Sequence, residues 1–322
     1  MLKRLIPAVI LIVGAAASAS FARPADSVSY ERPNTFRIIP SSSPVRAFAV
    51  LGNNLWYATD GALNLQPLNN TRGNQRFTAM GGIPATGITA IVFDRQGRVW
   101  IAAAGGVAMN TTGGNFTAYT SANGLPEGAA LSMAVGGGGE IWVGTENGAA
   151  RFHNGAWTVF TTEQGLPSNR VQALLESHGK IYMGTNRGLS VFDGTKFENY
   201  NHRNTGDNGL DMNDVKVLAK EVDSDVIWMT DGPNNVNSFN GVNWKRFMGI
   251  RDGITSIMHD TQRMWFGSPE GLDRFNGEVW TSDPNRHGVP VQKVFAMYRD
   301  ANGDLWFAME KGVMHLNNPY RR

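Results

Sequence analysis

Acid–base chemistry in this 322-residue chain rests on six histidines and 27 acidic residues, because there is no cysteine. That absence removes disulfides, thiolate metal sites, a cysteine nucleophile and a lipid-bearing cysteine. His153, His178, His202, His259, His287 and His315 are scattered. None forms an HxH pair or an HExxH helix, so the spacing does not read as zinc. The run Asp300-Ala301-Asn302-Gly303-Asp304 resembles part of a calcium loop. It lacks the downstream bidentate glutamate that such a loop needs. Asp94-Arg95-Gln96-Gly97 takes the same place in another repeat, so a hairpin explains both. No GxSxG elbow, phosphate loop or SxxK motif is present, and the expectation is no cofactor and no metal. Nine tryptophans could offer sugar platforms, but every one falls at a repeating structural position. An aromatic platform would therefore need Tyr30, Tyr298 or another loop residue.

The elements that would position any site repeat along the chain. IWVGTENGAARF (141–152) returns as IYMGTNRGLSVF (181–192), and its aromatic recurs as Trp56, Trp100, Trp142, Tyr182, Trp228, Trp265 and Trp306. The intervals of 44, 42, 40, 46, 37 and 41 residues suit a unit of four short strands with turns, the blade of a β-propeller. Before each aromatic lies an apolar stretch with one small member: Ala47, Ala90, Ser132, Ala173, Ser256 and Ala296, with Val217 in the fifth copy. This reads as the innermost strand, where seven strands crowd one axis and large side chains do not fit. After the aromatic comes a turn closing on Gly61, Gly106, Gly148, Gly188, Gly271 or Gly312, a place for positive φ. A second turn follows at Asn154-Gly155, Asp193-Gly194, Asn240-Gly241 and Asn276-Gly277, the dipeptides of tight hairpins. Fourth strands then open on Phe77, Phe116, Trp157, Phe197, Trp244 and Trp280.

That leaves one blade without its fourth strand, and the segment around Phe36 (TFRIIPSS) matches the one around Trp157 (WTVFTTEQ). The expected fold is all-β: a seven-bladed propeller of four-stranded blades over 36–318, closed by an N-terminal strand that completes the last blade. Closure also covers a sheet edge. Residues 319–322 form a C-terminal tail and 23–35 a linker.

Residues 1–22 read as a secretory signal peptide: Lys3 and Arg4, an apolar run, then small residues around Ala19 and Ala22. The expected location is periplasmic or secreted, and no later stretch reads as a membrane span. Without Lys3 and Arg4 the chain holds 27 basic and 27 acidic residues, which gives no footprint for nucleic acid.

The pattern D-x-x-G-x-[hydrophobic]-W-x-[AG] appears in DRQGRVWIA (94–102) and DANGDLWFA (300–308), and W-[VI]-G-T-x-x-G in the 141–152 stretch. FTTEQGLPSNRV (160–171) and YTSANGLPEG (119–128) join the units. Together these resemble the two-component regulator propeller repeats found in extracytoplasmic sensor regions of bacterial hybrid histidine kinases. The resemblance implies a β-propeller that binds a ligand, in some relatives a saccharide, or a protein. Blade two departs with WIAAAGG and blade five with WMTDGPNN, so ligand identity does not carry over.

In a propeller the second-to-third-strand turns and the interblade links share one face, around the channel mouth. The candidate ligand or partner residues there are Asp60, Glu146, Asn147, Arg170, Asn186, Arg187, Glu270, Glu310 and Lys311, with Arg251, Asp252 and Lys293 from the links. A mixed polar ring suits a polar ligand, saccharide or peptide, or an envelope protein. The plainer reading is solvated turns, since Asn and Asp favour turns for local reasons. Three classes stay open: a non-catalytic binding propeller, a hydrolase or lyase of envelope polysaccharide or peptide, and a structural component.

Overall fold

The computed structural model describes residues 36–318 apart from 70–72, 79–86, 111–114, 248–249, 251–252 and 283–291. The signal-like segment, Tyr30, Arg251, Asp252, His287 and residues 319–322 lie outside the described residues.

Among the described residues, twenty-eight strands form seven antiparallel four-stranded sheets. Blade one holds β2 (Ala47–Leu51), β3 (Asn54–Thr59), β4 (Ala62–Pro67) and β5 (Gln75–Phe77). Blade two holds β6 (Ala90–Phe93), β7 (Val99–Ala103), β8 (Gly106–Asn110) and β9 (Phe116–Tyr119). Blade three holds β10 (Ala130–Val135), β11 (Ile141–Thr145), β12 (Gly148–His153) and β13 (Ala156–Phe160). Blade four holds β14 (Val171–Ser177), β15 (Lys180–Thr185), β16 (Gly188–Phe192) and β17 (Phe197–Tyr200). Blade five holds β18 (Leu218–Lys220), β19 (Ile227–Thr230), β20 (Val236–Phe239) and β21 (Trp244–Phe247). Blade six holds β22 (Ser256–His259), β23 (Met264–Ser268), β24 (Gly271–Phe275) and β25 (Trp280–Ser282). Blade seven joins β26 (Val294–Arg299), β27 (Leu305–Met309) and β28 (Gly312–Leu316) to β1 (Phe36–Pro40). Phe36 stands opposite Leu316 as Trp157 stands opposite Phe152, so the N-terminal strand closes the ring in the expected register. Each innermost strand touches the next, and β26 touches β2.

Cohesion lies between blades. Among the described residues, each junction of neighbouring blades carries its own apolar core. A blade alone would leave both faces wet, so burial comes from stacking. The second-strand aromatics face these junctions: Trp142 is 1% exposed and stacks on Phe160 at 5.3 Å. Trp157, Trp244 and Trp280 are half-buried against Phe152, Phe239 and Phe275 at 5.0, 4.4 and 4.6 Å. The repeat's acidic turn residue has a local job. Asp94 accepts the Gln96 and Arg98 amides and the Trp100 indole N–H, and Asp300 does the same for Asn302, Asp304 and Trp306. The calcium-like run is thus a hairpin turn.

Four expectations need correction. The small residues of the first strands stand opposite an equally small second-strand residue, glycine for Ser132, Ala173 and Ser256 and alanine for Ala47, Ala90 and Ala296, where the next blade comes close. A Cβ on Gly144 would come within 2.4 Å of Ser132 Oγ and 2.6 Å of Val171 O. Phe77 closes β5 rather than opening it. It pairs with Leu63 and stacks on Trp56, the place Phe160 holds against Trp142. Of the four Asn-Gly and Asp-Gly turns, only Asn154-Gly155 has both residues at positive φ. At Asp193, Asn240 and Asn276 the side chain instead accepts the amides two and three residues on, which supports a longer turn. Tyr298 is no platform: it is 7% exposed and packs edge-on against Phe48.

Candidate functional site

The second-to-third-strand turns are built to hold two side chains out into solvent. The buried Thr145 hydroxyl donates to Gly148 O at 2.9 Å and accepts the Asn147 amide at 3.0 Å. Thr185 and Ser268 repeat this device beneath Asn186-Arg187 and Pro269-Glu270. Gly148 opens the third strand at φ 139, where a Cβ would meet Phe160 O at 2.7 Å. The fixed residues of the motif therefore frame a turn whose two outer positions are free to vary.

Those turns and the interblade links do share one face. Asn147 Nδ2 donates to Glu127 O at 3.0 Å, and the Ser168 hydroxyl donates to Asn186 Oδ1 at 2.6 Å. Gly232 N reaches Asp214 O at 2.9 Å, and Ser41 N reaches Lys311 O at 3.1 Å. Among the candidates, Glu146 and Arg170 meet directly, at 2.9 Å. The Arg170 hydrogen bond, with help from the Ala129 amide, holds the Glu146 carboxyl below its usual range. Asp60 pairs with Arg46 at 3.4 Å rather than with another candidate. Arg187 lines a cleft of about 310 Å³ with Arg203 and Met212 between blades four and five. Glu146 also borders a cleft of about 320 Å³ between blades two and three. Glu270, Glu310 and Lys311 are exposed in their turns, and Lys293 lies over Phe295 with its Nζ 5.0 Å from the ring centre. The face gathers the candidates around a rim, not into one cluster.

The residues nearest the axis were not among the candidates. Arg46, Thr89, Leu131, Gln172, Lys216, Thr255 and Phe295, one per blade, line an axial opening of about 140 Å³. Each immediately precedes the small residue of its first strand, which is the signal that locates them. Asp214 ties two of them together, accepting Gln172 Nε2 at 2.8 Å and pairing with Lys216 at 2.6 Å. Burial pushes the Asp214 carboxyl up, but Lys216, Gln172 and Arg170 outweigh it and hold it below its ordinary value. Two residues further along their strands, Met133, Leu174, Leu218, Ile257 and Met297 also line the opening and are all buried, which gives it an apolar base.

The described histidines stay apart. His315 stacks on Trp306 and pairs with Asp304 at 3.0 Å, His178 pairs with Asp225 at 3.0 Å, and His259 accepts the Val222 amide. Burial holds His259 below its usual value. Among the described residues, no group of three or more His, Cys, Asp or Glu is placed to hold a metal ion, and no helix is long and apolar enough to cross a membrane.

Comparison with known proteins agrees with the fold. The family described as two component regulator propeller matches residues 82–105 and 288–311. No curated protein matches the chain. An extracellular domain ascribed to the hybrid two component system BT4673 of B. thetaiotaomicron aligns with TM-score 0.70 at 17% identity, over 88% of this chain and 39% of that one. The corresponding domain of BT3049 from the same organism gives TM-score 0.67 at 18% identity, over 89% and 42%. This chain thus spans about two fifths of those extracellular domains. Virginiamycin B lyase of Staphylococcus aureus, solved with quinupristin, gives TM-score 0.69 at 14% identity, over 88% of this chain and 99% of that one.

Proposed function

Because this chain carries two-component regulator propeller repeats, we propose that it is a non-catalytic binding propeller of the cell envelope, sensor- or scaffold-like. Its binding face is the mouth, and its ligand is a polar molecule, saccharide or peptide, or a partner protein. The observation that carries this reading is the division of labour within each repeat. Thr145, Gly148 and their counterparts fix the turns, while the side chains held out on them differ from blade to blade. A scaffold that repeats everything except the rim is suited to recognition. An extracytoplasmic place is supported by the signal-like residues 1–22 and by the likeness to extracellular domains.

The alternative is a hydrolase or lyase at the mouth, which the shared shape with virginiamycin B lyase keeps in view. Catalysis through the carboxylates of the mouth would need one poised to exchange a proton near neutral pH. Glu146 and Asp214 are instead each held below their usual range by cations, which favours ion-pairing roles. Replacing Glu146, Arg187 and Glu270 together separates the readings. Binding predicts that the folded variant loses a partner or ligand crosslinked to the wild-type protein in its native envelope. Loss of turnover of an envelope polysaccharide or peptide would instead establish catalysis, and no change in either would exclude this face.

A further inference from the structure

The rim turns carry both signs of charge, but the axial opening they surround does not. Among the described residues its lining holds Arg46 and Lys216 and no carboxylate. These cations come from blades one and five, three blades apart through blades seven and six, so they face the axis from opposite arcs. Each is steadied from outside the lining, Arg46 by Asp60 at 3.4 Å and Lys216 by Asp214 at 2.6 Å. A third cation, Lys293, joins Arg46 around the Phe295 ring, at 5.0 and 5.4 Å from its centre. Gln172 gives one amide N–H to Asp214 and has a second to offer. The apolar base formed by Met133, Leu174, Leu218, Ile257 and Met297 lowers the local dielectric, which focuses the field of the cations above it.

We propose that this axial cup is an oxyanion site: it takes the carboxylate or phosphate head of a small ligand, with Arg46 and Lys216 as opposed anchors. The inference rests on the mouth being the binding face proposed above, and it names the charge class that the face selects. The space of about 140 Å³ admits a head group, and the body of the ligand would extend toward the rim. Asp60 and Asp214 serve as orienting partners: they hold the cations in place without entering the cup. Thr89, Gln172 and Thr255 in the lining would serve a neutral polar group and an anion alike, so preference for the anion falls to Arg46 and Lys216.

The test is calorimetric titration of the whole chain at neutral pH and low salt with succinate, its neutral isostere succinamide, and inorganic phosphate in a separate arm. At least one anion binds at millimolar concentration, and succinamide binds about tenfold more weakly or not at all, the scale of one lost charge-assisted contact. Phosphate binding without succinate, or the reverse, identifies the source of the head group. Arg46→Gln and Lys216→Gln each weaken anion binding by about tenfold, while Arg46→Lys retains most of it and Lys180→Gln, exposed elsewhere, leaves it unchanged. The conservative Arg46→Lys variant separates charge loss from misfolding. Equal binding of succinate and succinamide, no anion binding, or anion binding indifferent to both Gln variants overturns the proposal. If it fails while the Glu146, Arg187 and Glu270 variant still loses its captured partner, the mouth remains the binding face and only the oxyanion cup falls.

Discussion

Two neighbouring junctions do the same work with different residues. Between blades three and four, Trp142 fills the interface and the link 161–170 runs through a short 3-10 turn, Thr162–Gln164. Between blades four and five, Tyr182 stands in for the tryptophan, and the link lengthens to 201–217 with a one-turn helix, α1 (His202–Thr205). Both links drop a leucine into the junction, Leu166 at 4% and Leu210 at 0% exposure. In both, a fourth-strand side chain holds the carbonyl of the preceding glycine: Asn199 on Gly165 O at 2.8 Å, Arg246 on Gly209 O at 2.9 Å. The longer link has an extra anchor, the buried Asp231 carboxylate, which accepts the Asp211 and Met212 amides. The propeller therefore preserves positions of contact and lets residue type drift, and an irregular blade is held in the ring by added polar anchors.

The comparison can be broken most severely at the aromatic. Trp142→Ala should cost about 3–5 kcal/mol in denaturant unfolding, as expected for a buried indole. Tyr182→Ala should cost less, because Tyr182 keeps 8% of its surface exposed. A larger loss at Tyr182 would reverse the ranking of the two junctions. Next comes the glycine behind each aromatic. Gly144→Ala and Gly184→Ala place a Cβ 2.6 Å from Val171 O and Val215 O, so each should lose about 1–3 kcal/mol from overpacking. Similar losses at the two sites would confirm that this approach is common to both junctions.

The clamps give a smaller and more telling difference. Arg246→Ala removes a charged donor from Gly209 O and should cost about 1.5–3 kcal/mol, whereas Asn199→Ala should cost about 1 kcal/mol. Hydrogen exchange of the Asp211 and Met212 amides would report whether Asp231 keeps the longer link in place once Arg246 is gone. Smallest is a pH effect at the third-to-fourth-strand turn. In blade four Asp193 accepts the Lys196 amide and the Thr195 hydroxyl and amide, which lowers its carboxyl to about 2. In blade five Asn240 does the job without a charge. A depressed carboxyl stabilises the fold above the ordinary carboxylate range and loses that contribution as pH falls through about 2. NMR titration should therefore shift the Thr195 and Lys196 amides in that acid window, and Val242 and Asn243 should not move. Titration of Asp193 near an ordinary carboxylate value would refute the assignment.

The fold was legible because a blade's interior tolerates few residue types. An aromatic in each second strand and a glycine after it mark the beat from Trp56 to Trp306, and the match of Phe36 to Trp157 revealed the closure. Phe77 misled because a fourth strand has two aromatic positions, as Trp157 and Phe160 show, and blade one fills the one that Phe160 holds. The rim was legible for the same reason as the fold, since the framing Thr and Gly point to what lies between them. The axial residues were not. Arg, Thr, Leu, Gln, Lys, Thr and Phe share a place and no chemistry, so no pattern of residue types announces them. Asn199 and Arg246 are hidden likewise, because a clamp needs only a donor at the right height.

Closure by β1 has a topological consequence. Six blades are each spun from one continuous stretch, whereas the seventh is stitched from two distant ones, with Phe36 antiparallel to Leu316. That blade is the clasp of the ring: β1 meets β28 with no turn between them, held by ladder hydrogen bonds and by Ile39 packed into the apolar core. The same geometry makes the clasp movable. Joining residues 318 and 36 through a linker and opening the chain in another interblade link would shift the seam without altering a single blade.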